Sequence, residues 1–313
     1  MILVTGANGY VGGYVLKALV ARKATDSVRV LVRSQAQIAR LRALGVQPVV
    51  GDVTDAASLT TACQDVSQII HLAAVNRDKG AVTMERVNQQ GTLNVVNAAK
   101  QAGVQHIITV VGLGASPKKP YPLAKTQGVG ADYLAKSSVP YTILEASVIF
   151  GAGDEFLNTL AGLARVPPFM VVPGDGKSRF QPIAAQDVAA CAVKSLELAQ
   201  VKNRRLQICG SEVLSLEQII DAILESMALS RIKIHMPVPV LKIAVNLMDA
   251  LLPKPPVTPS LLAQLGVDNV ATDNATEKVF GIKPLKLREN IAFVREMTLG
   301  KLISRTLGKA EYR

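Results

Sequence analysis

The opening residues constrain the fold more than any other stretch of this chain. Ile2-Leu3-Val4-Thr5 is a short apolar run with β-branched residues, and Gly6-Ala7-Asn8-Gly9-Tyr10-Val11-Gly12 follows it at once. Val11, Val15, Leu16, Leu19 and Val20 then recur at helical spacing. Glycines three apart between a strand and a helix make a dinucleotide-binding turn. Gly6 makes the tight turn, Gly9 lets a pyrophosphate approach bare backbone, and Gly12 lets the helix pack on the sheet. The helix N-terminus would present N–H groups and a positive dipole end to the phosphates. Asn8, Tyr10 and Val11 fill the rest of the cofactor-facing loop.

The first half of the chain goes on alternating strands with helices. Strand patterns lie at 28–32, 46–50, 67–72, 106–111 and 141–144, and the longest helical pattern runs from about 82 to 102. Near-continuous apolar strands separated by helices predict a parallel sheet covered on both faces. The predicted class is α/β, a Rossmann-type doubly wound parallel sheet with a smaller C-terminal lobe on the substrate side. Past residue 150 prolines cluster and the alternation loosens. A helix at 187–199, a strand at 206–209 and a helix at 215–227 are predicted there. The expected division is a dinucleotide-binding domain over 1–200, with an insertion near 151–182, and a lobe over 201–313.

The 313 residues are 49% hydrophobic and 19% charged, which fits a globular chain with a large core. Cys63, Cys191 and Cys209 form no CxxC pair, and His71, His106 and His235 have no ligand spacing. A disulfide framework and a metal site are therefore not expected, and a reducing compartment is. The chain begins on its first strand, so no signal peptide is expected, and no uncharged stretch is long enough to span a bilayer. The expected location is cytoplasmic, peripheral on the cytoplasmic face of a membrane. The net charge of +11 suits acidic substrates or anionic surfaces; no tryptophan and 4% aromatics disfavour nucleic acid.

Three further groups of residues carry chemistry. Strand two ends in Val32-Arg33-Ser34, where an acidic residue would hold a ribose 2′-hydroxyl; an arginine there pairs with a 2′-phosphate. The reading is NADP(H), with NAD(H) disfavoured. Asp52 and Val53 follow strand three and face the adenine, while Leu72, Ala73 and Ala74 close strand four and let the cofactor lie across the strand ends. Val110 lies near the end of strand five. Tyr121 and Lys125, four apart, would share a helix face. Lysine's charge beside the phenol suits Tyr121 to exchange a proton with a substrate oxygen, and Lys125 would also hold the nicotinamide ribose.

Together these residues resemble the short-chain dehydrogenase/reductase superfamily in its extended or atypical form. Asn88-Gln89-Gln90-Gly91-Thr92-Leu93-Asn94 looks like its helix-four pattern, in which Asn88 would help place the lysine. Tyr141 through Gly151, Arg179-Phe180-Gln181-Pro182-Ile183 and Asp187-Val188-Ala189 resemble one atypical branch. That branch includes the dehydrogenase-like accessory subunit of respiratory complex I and its bacterial relatives, and segments 237–252 and 257–270 are similar to it too. The resemblance implies a serine or threonine near the end of strand five that polarises the substrate carbonyl. This chain carries Val111 and Gly112 in those positions, and Glu145 where the branch tends to have arginine. Loss of one such donor costs about two to three orders of magnitude in rate.

Two features point outward. Residues 238–252 are almost wholly apolar, fitting either a core helix or an interfacial helix under a partner or lipid. At the C-terminus Lys301, Arg305, Lys309 and Arg313 recur every four residues, with Leu299, Leu302, Ile303, Leu307 and Ala310 opposite. Such a tail suits an anionic lipid surface or a membrane-complex subunit. The functional expectation is an NADP(H)-binding, weakly or non-catalytic structural or redox-sensing subunit of a membrane-associated redox complex. The alternative is an active NADPH-dependent oxidoreductase, or an epimerase/dehydratase-type enzyme, using Tyr121 and Lys125.

Overall fold

The computed structural model describes residues 1–22 and 27–308. The chain divides into two compact units: Met1–Ala146 with Ala185–Ile208 and Asp273–Ile282, and Ser147–Ala184 with Cys209–Thr272 and Lys283–Arg313. The first unit opens with β1 (Ile2–Thr5), α1 (Tyr10–Ala21), β2 (Val28–Val32), α2 (Ile38–Arg42), β3 (Gln47–Val50) and α3 (Ala56–Ala62). It continues with β4 (Gln68–His71), α4 (Thr92–Gln101), β5 (His106–Gly112), α5 (Pro122–Lys136) and β6 (Tyr141–Ala146). The second unit then receives β7 (Ile149–Phe150), α6 (Phe156–Ala164), β8 (Phe169–Pro173), β9 (Arg179–Phe180) and β10 (Ile183–Ala184). The chain returns to the first with α7 (Ala185–Lys194) and β11 (Arg204–Ile208). Next come β12 (Leu214–Ser215), α8 (Leu216–Ser226), β13 (Ile232–Met236), α9 (Val238–Leu251) and α10 (Pro259–Leu265) in the second unit. Finally α11 (Ala275–Lys278) joins the first and α12 (Leu299–Thr306) the second.

The first unit is a seven-stranded sheet in the order β11-β6-β5-β4-β1-β2-β3, with every neighbouring pair parallel. The strand order reverses between β1 and β4, which places the crevice for a ligand outside their carboxyl ends. Leu3, Ile69, Ile107 and Ile143 share one core with Val95, Val96 and Leu134 of α4 and α5. Their strand alternates Val4, Ile70, Ile108 and Leu144 are also buried, so both faces of the sheet are covered. Pro48 sits in β3, at the sheet edge, where its missing N–H costs no ladder bond.

Two predicted helices differ in detail. The 82–102 pattern is α4 preceded by a π-helical turn, Glu85–Gly91, which holds Asn88. The 187–199 pattern stops at Lys194. There the backbone tightens to Leu196 N–H on Val193 O and Glu197 N–H on Lys194 O, and Ala199–Val201 is a separate 3₁₀ turn.

The second unit packs α6 and α8 around Phe150, Leu157, Met170, Phe180, Ile219, Ile223 and Val294. Ser215 and Gln218 cap α8 reciprocally: Gln218 N–H donates to Ser215 Oγ (3.1 Å) and Ser215 N–H to Gln218 Oε1 (2.8 Å). Gln181, in the 179–183 motif, is a staple here. Its amide donates to Gly210 O at 2.8 Å, and its oxygen accepts Ala271 N–H at 3.1 Å.

The outward features need correction. Only Val245 of α9 is buried, so the core-helix reading of 238–252 does not hold. In α12, Leu302 is buried against Gly162, and Arg305 is buried with its guanidinium 3.7 Å from Glu155. The basic stripe is therefore broken at its second member, because that arginine is spent inside the unit. Lys309, Ala310 and Arg313 lie outside the described residues.

Candidate dinucleotide site

The glycine turn is built as close-packed backbone. Gly6 has φ +73°, and a Cβ there would lie 2.5 Å from Ala73 N and from the Leu72 carbonyl carbon. A Cβ on Gly12 would stand 2.1 Å from Gly6 O and 2.7 Å from Ala7 Cα. Gly12 thus lets the first turn of α1 press on the turn itself, rather than on the sheet as its spacing suggested. Gly9 is the α1 N-cap and brings no side-chain cap. The first-turn N–H groups of Val11 and Gly12 therefore keep their donors for an anion. Tyr10 turns its ring edge-on to Tyr14, with centroids 5.7 Å apart. Asn8 reaches sideways, its amide donating to Gln37 Oε1 at 2.9 Å, which ties the turn to the segment after β2.

Arg33 is exposed just past the end of β2 and has no hydrogen-bond or ion-pair partner among the described residues. Ser34 beside it caps the next turn by accepting Ala36 N–H at 3.3 Å. Asp52 shapes the loop after β3: its Oδ1 accepts Thr54 N–H (2.8 Å) and Thr54 Oγ1–H (2.9 Å), leaving Oδ2 available. Asp55 caps α3. Val53 is buried in the core against Gly91 and its carbonyl accepts from Asn94 Nδ2 at 3.0 Å, so its N–H is the group left to face a ligand. Leu72 donates its N–H to Thr5 O (3.1 Å); Ala73 is half-buried and Ala74 exposed.

Behind these strand ends runs a buried chain of hydrogen bonds. Thr92 Oγ1 donates to Asn88 O at 2.7 Å, so it accepts from His71 Nε2–H at 3.0 Å. His71 Nδ1 then accepts from Thr5 Oγ1 at 2.7 Å, and burial pushes the imidazole down to about 4. The ring is neutral and structural. Asn88 clamps Val75 on both sides, accepting its N–H and donating to its O, each at 2.8 Å. Its amide also reaches Thr126 Oγ1 at 3.3 Å, so Asn88 contacts the residue after Lys125 and not the lysine. His71, Thr126 and Gln37 carry no motif signal, and Thr92 appears only within the helix-four resemblance, since their roles arise only when the strand ends come together.

At the other end of the crevice, Tyr121 does not share a helical face with Lys125. It is the N-cap of α5, with extended backbone (φ −86°, ψ 124°), and the helix starts at Pro122. Proline favours the first helical position and forces its predecessor out of the helical region. Tyr121 O still accepts Lys125 N–H at 2.9 Å. The tyrosine is half-buried and Lys125 is exposed.

No side-chain hydroxyl stands at the end of β5. Val110 is half-buried, and Val111 is buried in the core shared with α5. Thr109 is spent on His71 O at 2.9 Å. Ser116 lies against Gly128 on α5, and its Oγ accepts Lys118 N–H at 3.3 Å. Gly112 is exposed, and its N–H donates to Gln127 Oε1 at 2.9 Å. Glu145 is nearly buried and pairs with Arg205 of β11 at 3.6 Å, while Arg205 also binds Asp132. The arginine expected at 145 is thus replaced by a carboxylate whose positive partner comes from the neighbouring strand.

A dinucleotide fits these residues: a turn whose space a Cβ would fill, an uncapped helix start and small residues on the facing strand end. Residues 6–199 match a family model described as NAD(P)H-binding. The chain belongs to that family. Within the NAD(P)H-binding family it groups with atypical, extended short-chain dehydrogenase/reductase-like proteins. An NAD(P)H azoreductase of Xenophilus azovorans is 27% identical over 223 residues, covering 71% of this chain and 72% of that protein. The mitochondrial NADH dehydrogenase (ubiquinone) 1 alpha subcomplex subunit 9 of Dictyostelium discoideum is 24% identical over 233 residues, 72% of this chain and 63% of the subunit. That subunit is thus matched over less than two thirds of its length. A crystal structure of NADPH-dependent quinone oxidoreductase from Escherichia coli with NADPH superposes at TM-score 0.77 and 23% identity, covering 93% of this chain and 99% of that one. This likeness shows the fold. Among the described residues there is no cluster of three or more potential metal ligands, and no helix is long and apolar enough to cross a membrane.

Proposed function

We propose that this NAD(P)H-binding protein holds NADPH in preference to NADH and turns it over slowly, as a redox-sensing or structural component of a membrane-associated redox system. One contrast carries the reading. The turn for the pyrophosphate is complete, while the end of β5 offers Gly112 in place of a hydroxyl. Gly6, Asn8, Gly9, Tyr10, Val11 and Gly12 receive the phosphates, Arg33 the 2′-phosphate and Asp52 the adenine amino group. The backbone of Val53 and residues Leu72, Ala73, Ala74 and Val110 line the crevice, and Asn88 fixes its floor through Val75.

Bound NADPH supplies a hydride. The chain's own part in turnover is a proton from Tyr121 Oη to a substrate oxygen, with Lys125 supporting the phenolate electrostatically and holding the ribose. Without a second donor on that oxygen, turnover is about two to three orders of magnitude below that of a complete site. The second reading, an efficient NADPH-dependent reductase, is favoured by the retained Tyr121 and Lys125. It matches the names of the azoreductase and quinone oxidoreductase relatives.

The test is a titration of both nucleotides beside turnover on a panel of quinones and carbonyl compounds. The proposal expects NADPH to bind more tightly than NADH, with turnover slow or undetectable and lost in Tyr121→Phe while binding stays within about twofold. Rapid turnover that survives Tyr121→Phe would overturn the proton assignment and the slow-component reading together.

A further inference from the structure

Helix α9 has the sequence of a buried element and the surface of an exposed one. Val240, Ile243, Leu247 and Leu251 are 53%, 73%, 61% and 71% exposed. At 100° per residue they fall within about 80° of one another, forming one continuous aliphatic stripe. Val245 faces inward on another side, and Lys242, Asn246 and Asp249 occupy a third. Helix α12 adds a shorter apolar edge: Ile303 and, at its C-cap, Leu307 are 51% and 47% exposed, while Leu302 and Arg305 are buried. The two helices converge at their C-terminal ends, where Lys254 N–H donates to Thr306 O at 3.1 Å. Scattered exposed aliphatics are ordinary, but a full helical stripe joined by a second, shorter apolar edge marks a surface that something covers.

We infer that the α9–α12 surface lies in the interface of an anionic bilayer. The occupant follows from composition and charge. The stripes are purely aliphatic, with no aromatic or arginine anchor of the kind that fixes a protein partner, and the interior of a helix such as α9 pairs its backbone groups within itself, as an apolar phase requires. Segments 238–258 and 299–308 hold four cations (Lys242, Lys254, Lys301, Arg305) against one acid (Asp249). Glu155 offsets Arg305, so these described segments keep a net positive charge, three cations against one acid, that attracts anionic headgroups. Both helices are too short to span, so the association is peripheral and weakens as salt screens it.

This inference rests on the membrane-associated reading above and is independent of turnover. The full chain is sedimented with vesicles of phosphatidylcholine alone and of phosphatidylcholine with phosphatidylglycerol, and separately with native membranes before and after protease treatment. Wild type binds the phosphatidylglycerol vesicles at low salt. Ile243→Asp combined with Leu247→Asp lowers that binding about tenfold or more, with NADPH affinity unchanged as proof of folding. Binding to neither vesicle, beside protease-sensitive binding to native membranes, would overturn the lipid assignment and leave the membrane-complex reading standing. Binding to none of these would overturn both. A concentration-dependent dimer that the double substitution dissolves, without vesicle binding, would give the stripe to a second copy and overturn the inference.

Discussion

At the phosphate end of the crevice, a Cβ on Gly12 would meet backbone at 2.1 Å, and one on Gly6 would meet it at 2.5 Å. At the end of β5, a Cβ on Gly112 would have one neighbour, Gln127 Oε1 at 3.4 Å, an ordinary contact. Gly112 has no positive φ either. The first two glycines are demanded by packing. The third is not, so nothing in the space around it explains why this chain lacks the family hydroxyl. The cofactor turn is under steric constraint and the reactive end is open to change.

The sharpest way to break this contrast is the same substitution at both ends. Gly12→Ala drives a methyl into Gly6 O, which is backbone and cannot swing aside, so the start of α1 must move. NADPH affinity should fall about 100-fold or more, with a lowered melting temperature, because a misplaced helix start misses the phosphates. Gly112→Ala should leave affinity within about twofold. Equal losses at both positions, read by calorimetric titration, would erase the distinction.

Arg33 sharpens the contrast within the cofactor end. It is exposed and without a partner among the described residues, so its role depends wholly on what binds. Arg33→Asp should cost about 10–100-fold in NADPH affinity, as for losing one charge-assisted phosphate contact, and should leave NADH binding nearly unchanged. Equal affinities for the two nucleotides in the parent would remove the basis for NADPH preference.

At the reactive end the informative change is a gain. Gly112→Ser adds a hydroxyl where there is room, beside an amide that can orient it. Turnover on the best substrate of the panel should rise about tenfold, part of what such a donor is worth, while KM for NADPH stays level. No gain, with the variant folded and binding NADPH, would mean that the N-cap position of Tyr121, and not the missing serine, limits the chemistry.

Much of this was legible in advance because it rests on local pattern. The glycine turn, the alternation of strands and helices and the departure at Val111 and Gly112 are all runs of adjacent residues. What escaped was set by tertiary contact. Pro122 displaced Tyr121 from the helix, a signal present in the sequence and overridden by the four-residue spacing. Asn88 faces Val75 and Thr126, and Arg205 supplies the charge missing at Glu145, through pairings that no short-range pattern encodes. The periodicity of 238–252 identified an apolar helix without deciding whether protein covers it, because hydrophobic spacing is the same for a core face and an unpartnered one. The stripe of basic residues at the C-terminus is interrupted for the complementary reason: a four-residue repeat says nothing of Arg305 being buried beside Glu155.

The smallest effect concerns the hydrogen-bonded chain that ties β1, which feeds the glycine turn, to the Asn88 clamp. His71 accepts from Thr5 and donates to Thr92 only when neutral, and burial lowers its folded pKa to about 4. A histidine held neutral contributes stability that is fully present above its unfolded value near 6.5 and is lost as pH falls toward 4. His106 is lowered to about 4 by the same cause and acts in the same direction. Asp154, raised to about 7 by burial, acts oppositely, since its native form binds the proton and gains stability as pH falls through 7. Comparison of wild type with His71→Asn cancels both, because they are common to the two proteins. Between pH 6.5 and 5, wild type should lose about 1–2 kcal/mol more than the variant, or about 4 °C in melting temperature. Parallel pH profiles would show that His71 titrates alike in the folded and unfolded chains, and the coupling of the two ends through a neutral imidazole would fall with that result.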